Sequence, residues 1–100
     1  MAYVIHVHRV KPAAATWFSA SSSQAKTTVA AIVTFEAAAT GLKASWGYSP
    51  DANNYHGIMV FDTEANALAH QTAYAANADV QARATYMAAN NITETWNSIA

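Results

Sequence analysis

Leu42–Phe61 reads LKASWGYSPDANNYHGIMVF, and the fold turns on this stretch. Leu42 to Tyr48 has the aromatic content of a short strand. Ser49-Pro50-Asp51-Ala52-Asn53-Asn54 is dense in residues that favour turns, and Tyr55 to Phe61 (YHGIMVF) makes a returning strand. Two strands joined so closely form a hairpin, which places an antiparallel pair in the middle of the chain.

Upstream, Ala25, Val29, Ile32 and Val33 recur at helical spacing, with Phe18 and Phe35 nearby. Gly41 is placed to end such a helix, so Thr16 to Thr40 is expected to be helical. The β-branched Thr27, Thr28, Val29, Ile32, Val33 and Thr34 pull against that reading; length and flanking alanines outweigh them. Further back, Tyr3 to Val10 (YVIHVHRV) alternates like a strand, Tyr3, Ile5, Val7 and Arg9 on one face and Val4, His6, His8 and Val10 on the other. Lys11-Pro12 ends it, since proline donates no ladder hydrogen bond.

Downstream, Asp62 or Thr63 can cap a helix beginning at Glu64, whose charge suits the first turn. Its apolar stripe begins at Leu68 and Ala69. Asn77-Ala78-Asp79 looks like a break and re-cap, after which Val80, Ala84 and Met87 repeat at i, i+4, i+7. Asn90-Asn91 makes a left-handed stop, and Thr93 to Ile99 (TETWNSI) alternates as a final strand. The order β-α-β-β-α-β is the ferredoxin-like pattern, an α+β fold with two helices on one face of a four-stranded antiparallel sheet. One hundred residues suffice for one such domain spanning 1–100.

The composition bears on partners. The chain is 53% hydrophobic and 11% charged, against about 25% charged for an average soluble protein. So few charges leave the second sheet face in need of a cover, and a second copy supplies one: a homodimer is expected. Arg9, Lys11, Lys26, Lys43 and Arg83 are scattered and the net charge is −1, which argues against nucleic acid. No apolar run approaches the ~18–20 residues of a membrane span. There is no cysteine, hence no disulfide or thiolate chemistry. Tyr3 onward reads as strand, not as a leader, and the expected location is cytoplasmic.

The chain resembles the dimeric α+β barrel superfamily, in particular antibiotic-biosynthesis monooxygenase-like and stress-responsive barrel domains. The matching features are the first strand ending in Lys11-Pro12, the Gly41-Leu42 approach to the hairpin, and Val60-Phe61-Asp62-Thr63-Glu64-Ala65 leading to Ala69-His70. The resemblance implies pairing as a barrel, with oxygenase, isomerase or dehalogenase activities among its members. Two departures stand against direct transfer. Phe61 and Gly57 occupy positions where oxygenase members often carry Trp and Asn, and Val80 to Ala89 lacks the axial histidine of haem-degrading members.

Among candidate site residues, His6 and His8 share a strand face, with His56 on a neighbouring strand. They suit general-base work or, less readily, metal ligation; the alternative is a hydrogen-bonded polar patch inside a dimer. Catalytic work is expected of His6, His8 and His56, with no metal and no cofactor. Trp46, Tyr48 and Tyr55 form an aromatic wall for a largely apolar ligand, unless they only pack across strands. His70 lies one helical turn from Tyr74 and is expected at the ligand site through the resemblance. Trp17 and Trp96 read as packing residues, and Asp51, Asp62, Asp79 and Glu94 as turn, cap and strand-surface residues. Three functions stay open: a homodimer with cofactor-independent monooxygenase- or isomerase-type chemistry on an apolar small molecule, a non-catalytic binder of a hydrophobic, lipid-like ligand, and a structural or assembly subunit.

Overall fold

A computed structural model describes residues 2–99. The chain runs β1 (Tyr3–Val10), α1 (Phe18–Ser21), α2 (Ser23–Ala37), β2 (Leu42–Asp51), β3 (Asn54–Phe61), α3 (Glu64–Ala76), α4 (Ala78–Ala89) and β4 (Thr93–Ile99). The strands form one antiparallel sheet in the order β2-β3-β1-β4, the ferredoxin-like arrangement the sequence order implies.

Register sorts the strand residues onto two faces. Ile5 pairs with Met59 and Ser98, and Val7 with Gly57 and Trp96. This face meets the helices, and Ile5, Val7, Met59 and Phe61 are buried there against Ala67 of α3. Ile32 of α2, Tyr74 of α3 and Val80 of α4 form a second buried group that reaches Trp96. On the reverse face β1 presents Val4, His6, His8 and Val10, β3 presents Asn54, His56, Ile58 and Val60, and β2 presents Ala44, Trp46 and Tyr48.

The boundaries of the elements differ from expectation in three places. The Thr16–Thr40 helix is two helices, because extended Ser22 interrupts it and caps α2 by accepting from the Ala25 N–H at 3.0 Å. Helix α2 ends at Ala37, so Gly41 is not its cap. Gly41 instead takes φ +80° where the chain turns into β2, and a Cβ there would strike the Asp62 and Asn66 side chains. Strand β2 continues through Asp51 across an irregularity after Tyr48, leaving a turn at 52–53. The later signals hold. Thr63 caps α3, Asn77 caps α4 through Asp79 and Val80 N–H, and Asn91 is left-handed at φ 58°. No helix among the described residues is long and apolar enough to cross a membrane.

Candidate functional site

The helices do not close over the whole sheet. A cleft of about 600 Å³ remains between α1, α2 and the helix-facing side of the sheet. Its walls are mostly apolar: Val7, Trp17, Phe18, Val29, Val33, Met59 and Met87. Val33 is 60% exposed, an apolar side chain left beside the cleft rather than in the core. Trp17 is held by donating its indole N–H to the Ala52 carbonyl at 2.9 Å, and Tyr86 Oη donates to the Thr16 carbonyl at 2.6 Å. The α1 segment is thereby tied both to the hairpin and to α4.

Two charged groups of the cleft, Arg9 and Arg83, are held by residues behind its wall. Arg9 follows Ile5 and Val7 on the inner face of β1 and is paired in register with Glu94 of β4. Its Nε donates to Glu94 Oε2 at 2.6 Å, and Trp96 Nε1 donates to Glu94 Oε1 at 2.8 Å, so both carboxylate oxygens are engaged. Arg83 projects from α4 with only 8% of its surface exposed. It donates through Nη2 to the Tyr74 hydroxyl, which also lies 3.5 Å from Arg9 Nη2, while Arg83 Nε has no partner. Both guanidiniums therefore meet one phenol, and of the two only Arg9 is paired with a carboxylate.

Burial works against the Arg9 charge, but Glu94 and Tyr74 more than offset it and hold its pKa above the usual range. Burial and the Glu94 charge raise Tyr74, against the opposing pull of both arginines, so its hydroxyl keeps its proton. Chemically Arg83 offers the cleft a cation with no carboxylate partner among the described residues, and the Tyr74 hydroxyl holds it from behind the wall. Such a cation suits an oxyanion or carboxylate on an otherwise apolar molecule.

The residues singled out from sequence fall in three places. Tyr55 lines the cleft beside Arg9, whose guanidinium carbon is 5.3 Å from the ring centroid. Its ring lies over Gly47, where a Cβ would collide with the phenol, so glycine is required for this approach. Trp46 belongs to the reverse face of the edge strand, where it is 53% exposed, and meets the cleft only at its rim.

His6, His8, His56 and Tyr48 come together, but on the reverse face. His8 and His56 stack at 4.2 Å, His56 and Tyr48 at 5.1 Å, and His6 Nε2 is hydrogen-bonded to His56 Nδ1 at 2.9 Å. The rings lie nearly parallel, and no group of three His, Asp or Glu among the described residues is disposed to hold a metal ion. The sheet separates these histidines from the cleft of their own protomer.

His70 is buried between Phe35 and Phe61, with Nε2 3.4 Å from Glu36 Oε2 but without hydrogen-bond geometry. Glu36 borders the cleft, which leaves His70 behind the wall.

Arg9, Arg83 and Trp17 line the cleft but were not among the candidate site residues read from the sequence, where Trp17 is a packing residue and Glu94 a strand-surface one. One signal was present. Arg9 interrupts an apolar strand face, and Arg83 stands between Val80 and Met87 on the apolar stripe of α4. A charge within a buried stripe is costly enough to mark a function or a partner.

The comparisons with known proteins agree with the fold. No family model matches the chain, and no curated protein matches it. Solved structures do, over nearly its whole length. A candidate antibiotic biosynthesis monooxygenase from Deinococcus radiodurans is 11% identical, with a TM-score of 0.68, covering 98% of this chain and 90% of that one. SnoaB, a cofactor-independent oxygenase from Streptomyces nogalater, is 17% identical with a TM-score of 0.63, covering 98% and 91%. A dimeric ferredoxin-like protein of unknown function from Thermobifida fusca is 14% identical with a TM-score of 0.54, covering 98% and 92%. The chain thus has the ferredoxin-like fold of antibiotic biosynthesis monooxygenase-like proteins. At these identities the likeness is one of fold.

Proposed function

We propose that this chain forms a homodimer and binds a small, largely apolar organic molecule in the cleft between the sheet and α1–α2, with an anionic or strongly accepting oxygen turned toward Arg83. The observation that carries the reading is a cleft of about 600 Å³, within the size of small-molecule sites, lined by a buried guanidinium that has no carboxylate partner among the described residues. The homodimer is supported by the reverse sheet face, where Trp46 and Tyr48 are each more than half exposed and β1 and β3 contribute no acid, lysine or arginine. The Thermobifida fusca neighbour is itself dimeric.

A second reading adds chemistry of the cofactor-independent oxygenase or isomerase type, favoured by the names of two fold neighbours. Under it Arg83 would stabilise charge developing on a substrate oxygen, with the protonated Tyr74 hydroxyl beside it. His6, His8 and His56 could take part only in a chamber closed by a second copy. Non-catalytic binding remains the simpler alternative, and an assembly role requires no ligand at all.

Native mass spectrometry of the purified protein tests the proposal. A dimer carrying a discrete organic adduct, or taking up a flat aromatic acid but not its methyl ester, supports it. A protein that binds neither compound, with crystals soaked in the acid showing no density in the cleft, overturns it.

A further inference from the structure

The reverse face of the sheet carries a cluster that the cleft does not use. From strand to strand run Tyr48, His56 and His8, stacked in parallel, with His6 bonded diagonally to His56. Asn54 gives its amide hydrogens to Asp51 at 3.0 and 3.2 Å, so its Oδ1 accepts from His8 Nε2 at 2.9 Å, and that nitrogen carries the proton. The His6–His56 bond requires one ring nitrogen with a proton and one without, so it fails when both rings are doubly protonated.

The surroundings offer little to hold added charge. From β2 the ionisable groups near the cluster are Tyr48 and Asp51, the latter at the hairpin rim and already bonded to Asn54 and the Asn53 N–H. From β4 the facing residues are Thr93, Thr95 and Asn97, none of which titrates. Arg9 and Glu94 lie on the opposite face, and Lys11 turns toward Trp17.

We infer that this face is a pH-sensitive seam between two copies of the chain, which stay together while His6, His8 and His56 are neutral and separate when the cluster gains protons. The inference rests on the homodimer reading above and adds its regulation. Already in one protomer, desolvation and then the neighbouring His8 and His6 lower the affinity of His56 for a proton; Asp51 opposes them only in part. A facing copy would deepen the desolvation and bring a second set of imidazoles. Separation removes the partner's share of that desolvation, so each protomer then takes up at least one proton more readily than the dimer does. Two protons taken up per dimer raise the dissociation constant on the order of 100-fold per pH unit wherever the separated protomers are protonated and the dimer is not.

Sedimentation velocity across about pH 7.5 to 5 is the test, with near-ultraviolet circular dichroism to confirm that the chain stays folded. The wild type should be a dimer at the upper end and a folded monomer at the lower, while H6Q/H8Q/H56Q should stay dimeric throughout. A wild-type dimer that persists at the acid end, or a triple variant that dissociates in parallel, overturns the seam and leaves the homodimer standing. A wild type monomeric at every pH overturns the homodimer and the seam together. A measurement without variants guards against misfolding: histidine C2–H titrations by NMR should give lower pKa values at high protein concentration than on dilution, and concentration-independent values overturn the inference.

Discussion

Arg9 and Arg83 both meet Tyr74, yet removing them should have opposite consequences. In Arg9→Met, Glu94 loses the one cation paired with it among the described residues and keeps the Trp96 N–H, and the carboxylate stays within the sheet–helix interface. Breaking a buried pair from one side costs about 3–5 kcal/mol; with 15% and 18% of the two side chains exposed, about 2–4 kcal/mol is expected here. Arg83→Met removes a cation with no carboxylate partner and an Nε with no acceptor among the described residues, and Tyr74 keeps Arg9 Nη2 at 3.5 Å. The lost hydrogen bond and the relieved desolvation nearly cancel, so stability should change by less than about 1 kcal/mol. With a urea slope of about 1–1.5 kcal/mol per M for a chain this size, the Arg9→Met midpoint falls by roughly 1.3–4 M, and the Arg83→Met midpoint moves by less than about 1 M. Binding should reverse the order of interest. An anionic fluorescent probe such as anilinonaphthalene sulfonate should bind Arg83→Met about 10–150-fold more weakly, the worth of a hydrogen bond to a charged group, while neutral Nile red changes little. Equal destabilisation by the two substitutions, or equal loss of both probes, would refute the assignment of Arg83 as a cation held for a ligand.

Other outcomes follow from the same geometry. Phe61→Ala should cost about 3–5 kcal/mol, read by urea or thermal unfolding, because Phe61 has no exposed surface and packs against His70 and the β1 core. Gly47→Ala should displace the Tyr55 ring from its seat and weaken binding of both probes, with a crystal structure showing the ring moved; an unmoved ring would contradict the close approach. The Asn66 amide, 2.8 Å from Asp62 Oδ1, lowers the Asp62 pKa. A lowered carboxylate contributes stability above its unfolded value of about 4, and that contribution disappears as pH falls through the folded value. Asn66→Ala should therefore flatten the acid limb of the stability profile, and an unchanged limb would count against the bond.

Several features were legible because they are local. The turn-rich 49–54 segment, the alternation of Tyr3–Val10 and the caps at Thr63 and Asn77 depend on a few neighbouring residues, and together they specify the strand and helix order. Ser22 was missed because it stands in a run of serines whose middle member, not its ends, breaks the helix. Alternation also showed that His6 and His8 share a face opposite Ile5 and Val7.

What alternation could not show is which face borders the cleft. Strand parity places residues on one side or the other, but only packing of α1 and α2 decides which side retains open space. The same limit hid the charged groups of the cleft. Arg9 and Glu94 are separated by 85 residues, and Tyr74 meets Arg83 only because the α3–α4 break at Asn77 turns one helix back beside the other. Order, caps and face pattern were thus set by the chain itself through short-range sterics and hydrogen bonding. The cleft, its paired arginines and the separation of the histidines from it arise from long-range packing, where desolvation and charge depend on residues that no local window contains.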